Sequence, residues 1–265
     1  MDHLSQYVRS GHKTVQGWLK PESARLIAEL GRLQHEQGIR GASVEIGVHH
    51  GRLFILLHLA GSQQKDMAID IFDDQHLNPE NSGHADREMF LANITKHGGD
   101  PGRVELLQKS SLEVSAKDIT DRVGPAALFS VDGGHTQECA FHDLMLADNA
   151  LQDDGVVILD DYFNPAWPEV SLGANQYFLD SRSRLRPFAV AREKLYLCMP
   201  TRNDFYREHL RHRLKPGDYS KTATMFGLPV DIFWIHPRVH KGWWGAFIQS
   251  TAGRSAKRLL RMLGR

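Results

Sequence analysis

The sequence predicts an α/β domain built on a doubly wound, mostly parallel sheet, with helices on both faces and an antiparallel hairpin towards the C-terminus. Three observations carry this. Short apolar runs bounded by turn residues alternate with helix-length segments, as in βαβ units. Two of those runs end in aspartate, at Val131-Asp132 and at Leu159-Asp160-Asp161. The first run enters a turn holding Gly47 and Gly51, the place where open α/β sheets receive ligands.

The elements follow in order. Pro21 to Leu30 reads as an amphipathic helix with proline at its start and Glu22 in its first turn. Ser43 to Val48 is a strand, and Arg52 to Leu59 an apolar helix entered through Gly51. Met67 to Ile71 is the second strand, followed by a polar loop from Asp73 to Gly83, a helix from Ala85 to His97 and a third strand from Arg103 to Leu107. A fourth strand ends at Asp132, a helix runs from Gln137 to Leu151, a turn passes through Asp153, Asp154 and Gly155, and Val156 to Leu159 is the fifth strand. Phe188 to Ala191 and Leu195 to Met199, separated by Arg192, Glu193 and Lys194, form the hairpin. The expected organisation is a helical segment over residues 1–40, a core over 41–200 and an extension over 201–265 ending in a basic amphipathic tail.

Composition narrows the partners. The 265 residues are 41% hydrophobic, enough for a sizeable core, and 32 basic residues balance 32 acidic ones. That balance argues against a nucleic-acid binder and for a small-molecule or glycan partner. Cys139 and Cys198 make neither a disulfide framework nor a metal-ligand spacing, which fits a reducing cytosol. Met1 to Lys20 lacks a signal-peptide core, and no stretch reaches the roughly 18 apolar residues of a membrane span. The expected location is the cytoplasm, with at most a peripheral contact at the inner face of the membrane.

A right-handed crossover carries Asp132, Asp160 and Asp161 to one edge of the sheet. Crowded carboxylates either raise a pKa or bind a cation, and hard oxygen ligands favour Mg²⁺, Mn²⁺ or Ca²⁺ over zinc. The plainer alternative is one capping aspartate and two solvated ones. Around the first turn, Glu45 stands just before Gly47 and Gly51, and Asp70 ends the second strand where it can bind a ribose diol. His49 occupies the place of the second glycine of a dinucleotide fingerprint, so the four residues favour a nucleoside ligand without a pyrophosphate. An ordinary βα turn with a capping Asp70 is the alternative.

On these motifs the sequence resembles the class I S-adenosylmethionine-dependent methyltransferases, over about residues 40 to 200. Glu45-Ile46-Gly47 with Gly51 is similar to their first motif, Asp70 to the acid on the ribose, and Gln108-Lys109-Ser110-Ser111 to the loop that flanks the adenine. Val131-Asp132-Gly133-Gly134-His135-Thr136, Asp143 and Gly155 to Tyr162 resemble the metal-dependent O-methyltransferases of macrolide sugars and rhamnosyl groups. The resemblance implies a Rossmann-like fold, S-adenosylmethionine as cofactor bound by Glu45, Gly47, Gly51, Asp70, Ser110, Ser111 and Asp132, and a divalent cation on Asp132, Asp160 and Asp161. Such relatives often place an aspartate, with a base role, where this chain has Gly134. His135 is the nearest substitute and, with Asp132, the catalytic candidate: an ordinary imidazole pKa of about 6.5 suits a base at neutral pH. A capping role, or one beside the metal, is equally open for His135. Leu53 replaces a small polar residue of many relatives.

The chemistry implied is methyl transfer from a sulfonium to a hydroxyl, with a cation binding the acceptor oxygens, preferably those of a vicinal diol. Tyr162, Asn164 and Trp167 are placed to line the acceptor pocket, or simply to pack a proline-containing loop. His49 and His50 are read as part of the cofactor turn rather than as ligands. Trp243, Trp244 and Phe247 lead into Arg254, Lys257, Arg258, Arg261 and Arg265, a tail suited to an anionic membrane surface, a dimer partner or the core. A metal-independent methyltransferase or nucleotide-dependent oxidoreductase of similar fold, and a silent binding module, are the competing functions.

Overall fold

The computed structural model describes residues 2–62, 65–78, 80–215 and 217–234. Its strands are β1 (Ala42–Ile46), β2 (Asp66–Asp70), β3 (Val104–Gln108), β4 (Ala126–Val131), β5 (Leu151–Leu159), β6 (Arg186–Ala191), β7 (Lys194–Cys198), β8 (Tyr219–Met225) and β9 (Leu228–Phe233). They form one sheet in the order β3-β2-β1-β4-β5-β7-β6-β9-β8. The first five strands pair in parallel, β7 runs antiparallel to β5 and β6, and β9 lies parallel to β6. The doubly wound sheet with its antiparallel hairpin is therefore as the sequence predicts.

Helices α1 (His3–Arg9), α2 (Pro21–Glu36), α3 (Phe54–Ala60), α4 (Arg87–Lys96) and α8 (Asn203–Arg213) supply one apolar layer, through residues such as Tyr7, Leu26, Leu30, Phe54, Phe90 and Tyr206. Helices α5 (Ala116–Val123), α6 (Gln137–Ala150) and α7 (Pro168–Leu179) supply the other, with Ile119, Leu144 and Tyr177. Strands β1 and β4 are buried along their whole length, which is why they read as continuous apolar runs. Thr136 caps α6 by accepting from the Cys139 N–H, so the helix begins five residues after Asp132.

One expected turn is absent. Helix α6 ends at Ala150 and β5 starts at once, so Asp153, Asp154 and Gly155 run within the strand. The pairing with β4 shifts register between Ala126 and Leu128, and a Cβ at Gly155 would sit 3.0 Å from the Ala126 carbonyl. The acid-acid-glycine run thus marks a bulge against a neighbouring backbone. Helix α3 begins at Phe54, two residues later than expected, because Gly51 to Leu53 complete the glycine turn. Beyond residue 200, α8 and the β8–β9 hairpin continue the same sheet. No helix among the described residues is long and apolar enough to cross a membrane, and the basic tail from Arg254 to Arg265 lies outside the described residues.

Candidate active site

Strand order reverses between β1 and β4, and the residues singled out from the sequence gather at the C-terminal ends of these strands. Gly47 leaves β1 with φ +82°, and a Cβ there would collide with the Asp132 backbone carbonyl, so only glycine lets the two strand ends close together. His49 takes the left-handed conformation at φ 49° and donates its N–H to Asp70 Oδ2 at 2.9 Å. Asp70 Oδ1 accepts from the Phe72 N–H at 2.8 Å. Burial raises the Asp70 carboxyl, against the backbone donors that favour its charge.

Glu45 is 1% exposed and its Oε2 has no hydrogen-bond partner. Burial, reinforced by Asp132, pushes its carboxyl well above the ordinary range, with Lys194 opposing. A buried carboxylate oxygen left unpaired at a strand end fits a cationic amine arriving from outside. After β3, Ser110 is partly buried, while Ser111 is buried and bonds Asp143 on α6. The His49 and His50 rings lie 4.0 Å apart and tilted within the glycine turn.

Of the three aspartates, the geometry brings two together. Ligand atoms of Asp132, His135 and Asp161 all lie within 4.8 Å of one another. Asp161 sits at φ 58°, an unusual conformation for a residue with a side chain, and Asn164 donates to its Oδ1 at 2.8 Å. Asp160 stands apart: its Oδ1 accepts the Asp161 N–H at 2.9 Å and its Oδ2 pairs with the Lys194 ammonium. Burial, then the neighbouring Asp160, pushes the Asp132 carboxyl well up. Asp161 is held low by His135 and Asn164, against its own burial.

His135 is fixed from three sides. Its Nδ1 donates to Glu80 Oε2 at 2.6 Å, its Nε2 faces Asp161 Oδ2 at 3.4 Å, and its ring stacks on Trp167 at 4.2 Å. Against the burial that disfavours its charge, Asp161 and Glu80 push the imidazole up to about 9. His135 therefore carries a proton at neutral pH in this arrangement, which alters the expectation of a free base. Tyr162 donates to Asn175 Oδ1 on α7 at 2.9 Å, so Trp167, Asn164 and Tyr162 border the acidic centre through different neighbours.

Sequence reasoning missed Glu80 and Lys194. Glu80 comes from a polar loop whose path no local pattern sets. Lys194 was visible only as part of a hairpin turn, and its place opposite Asp160 follows from the β5–β7 register, with Leu159 across from Leu195.

Residues 44–162 match a sequence family described as a methyltransferase domain. Over those residues the chain is similar to methyltransferase domains, and its sheet has the Rossmann-like arrangement of the class I methyltransferases. The fold is shared with the O-methyltransferase NovP at 18% identity and a TM-score of 0.56, covering 67% of this chain and 80% of that one. It is shared with the O-methyltransferase TomG from Streptomyces achromogenes, solved with S-adenosylmethionine, at 17% identity, a TM-score of 0.51 and coverage of 75% and 89%. It is also shared with the S-adenosylhomocysteine-bound methyltransferase PaMTH1 of Podospora anserina, at 10% identity, a TM-score of 0.51 and coverage of 75% and 88%. No curated protein matches the chain by sequence. In the methyltransferase domain the matched segment spans β1 to Tyr162, and so contains Glu45, the glycine turn, Asp70, Glu80, His135 and all three strand-end aspartates.

Proposed function

We propose that this methyltransferase moves the methyl group of S-adenosylmethionine to a hydroxyl of a sugar or glycoconjugate, with Mg²⁺ or Mn²⁺ held at Asp132 and Asp161. The observation that carries the reading is the convergence of Asp132, His135 and Asp161 within 4.8 Å, beside the buried and unpaired Glu45. Two carboxylates at a partly buried strand edge, with an imidazole beside them to take a proton, suit a divalent cation with room for acceptor oxygens. When bound, such a cation supplies charge that lowers a hydroxyl pKa and relieves Asp132 and Asp161 of their need for a proton on His135.

The chain's own residues then have separate tasks. Glu45 receives the cofactor's ammonium group. Asp70, oriented by the His49 and Phe72 N–H groups, takes the ribose hydroxyls. Ser110 and Ser111 flank the adenine. Trp167 offers an aromatic face to a sugar ring, with Tyr162 and Asn164 at its border. Glu80 fixes the His135 tautomer so that Nε2 points towards Asp161. When bound, S-adenosylmethionine would supply the activated methyl group, and His135 Nε2 would take the proton of the acceptor hydroxyl.

The test is transfer of a labelled methyl group to a panel of nucleotide-linked sugars, lipid-linked glycans and catechols, before and after chelation. Metal-restored transfer to a glycosyl hydroxyl is the expected result; transfer confined to catechols, or to nothing, overturns the acceptor. A metal-independent methyltransferase is the second reading, favoured by the ammonium of Lys194 already beside Asp160. Full turnover after chelation selects it. We also propose that the chain works in the cytoplasm, with its basic tail resting on an anionic membrane surface; the order of aromatic and basic residues from Trp243 to Arg265 supports this.

A further inference from the structure

Lys194 is 1% exposed, an unusual position for a lysine, and its ammonium lies against Asp160. Two strands set this contact. β7 pairs antiparallel with β5 through Leu195 opposite Leu159, which leaves Lys194 facing the residue after β5, Asp160. The same ammonium acts electrostatically on Asp132 and Glu45. Both Asp160 oxygens are engaged, one by the Asp161 N–H and one by Lys194. The ligand atoms that do converge belong to Asp132, His135 and Asp161. An unpaired charge at this depth would be strongly unfavourable, so neither Lys194 nor Asp160 leaves the pair cheaply.

We propose that Lys194 is a built-in counter-ion that withholds Asp160 from the cation site. The third strand-end aspartate then serves the lysine, and a divalent cation meets only Asp132 and Asp161 among the aspartates, beside a fixed positive charge. Lys194 thereby sets how weakly the cation is held, so that binding of the acceptor's oxygens completes the site. This rests on the reading that the site takes a cation, and it assigns Lys194 as a positioning residue acting through Asp160.

Titration of Mn²⁺ alone into the full chain, followed by electron paramagnetic resonance, tests it with no cofactor or acceptor present. Asp161→Asn is expected to weaken Mn²⁺ binding by about tenfold or more, the worth of one charged contact. Asp160→Asn alone leaves the Lys194 ammonium unneutralised beside the site and weakens the cation through that charge, so the ligand role of Asp160 is read in the double variant, in which no buried charge is left unpaired. Lys194→Met should tighten it by about tenfold, because it removes a positive charge and frees a carboxylate. The double variant Lys194→Met/Asp160→Asn should return to the wild-type value. A lysine with a purely structural role would give no tightening. Should Lys194→Met fail to fold, judged by thermal unfolding, the double variant decides alone. A double variant as damaging as Asp161→Asn overturns this proposal and leaves the cation reading intact, whereas no Mn²⁺ binding by any variant overturns both.

Discussion

Glu80 grips His135 twice, its Oε1 accepting the backbone N–H and its Oε2 the ring Nδ1–H, each at 2.6 Å. One carboxylate thereby fixes both the position of the loop after β4 and the orientation of the imidazole within it. Glu80→Gln keeps the shape and loses the charge, so kcat should fall by about tenfold or more while S-adenosylhomocysteine affinity stays level. Turnover and calorimetry on the same preparation check this split, and an equal loss in both would make Glu80 a general structural prop.

The cofactor site gives a second expectation. Asp70 closes the glycine turn through His49 and Phe72 and is placed to meet the ribose, so Asp70→Ala should weaken S-adenosylhomocysteine by about tenfold or more. Calorimetry reads it directly. Unchanged affinity would move the nucleoside elsewhere.

Chelation should abolish turnover, and Mg²⁺ or Mn²⁺ should restore it. Asp161→Asn should damage kcat more than cofactor binding, because Asp161 lies beside His135, the proposed base. Activity that survives exhaustive dialysis against chelator would refute the cation mechanism.

Stability should respond to acid through Asp231, which lies fully buried on β9. Against that burial, Arg211, Thr222 and Arg207 hold its carboxyl below the ordinary range. A depressed folded pKa stabilises the protein above the unfolded value of about 3.8 and is lost as pH falls through the folded one. Asp231→Asn should cost about 3 kcal/mol at neutral pH and shrink the gap to wild type as pH drops below 4. Urea unfolding at a series of pH values measures both; a constant gap would assign the stability elsewhere.

The tail prediction comes from the sequence alone. Binding of the full chain to anionic vesicles should weaken sharply with salt, since each near-surface basic residue contributes about 1 kcal/mol. Removing residues 254–265 should abolish it while turnover of a soluble acceptor persists. Loss of thermal stability in the truncated protein would instead make the tail a structural element.

The parallel core was legible because β1, β4 and β5 are buried on both faces and so spell out apolar runs, each ending at the acid that matters. The β8–β9 hairpin was not, because β8 is largely exposed and its Tyr-Ser-Lys-Thr-Ala-Thr-Met run offers little apolar signal. At the site, the aspartates and the glycine turn could be read from their strands. Their division into Asp132 and Asp161 on one side and Asp160 on the other could not. It depends on the backbone of Asp161 and on a lysine 34 residues beyond Asp160. Glu80 was equally hidden, since it reaches His135 across 55 residues of sequence.

The contact of Gly47 with the Asp132 carbonyl has a consequence for engineering. The proposed donor and acceptor halves of the site are welded at this point, one backbone lying against the other with no side chain between them. Acceptor preference cannot be widened by prising the strands apart without dismantling the donor half as well. New acceptors would have to be won in the loops that overhang the weld, around Glu80 and from Tyr162 to Trp167. Libraries confined to those two stretches should retain S-adenosylmethionine binding, while any residue larger than glycine at position 47 should lose it together with the fold.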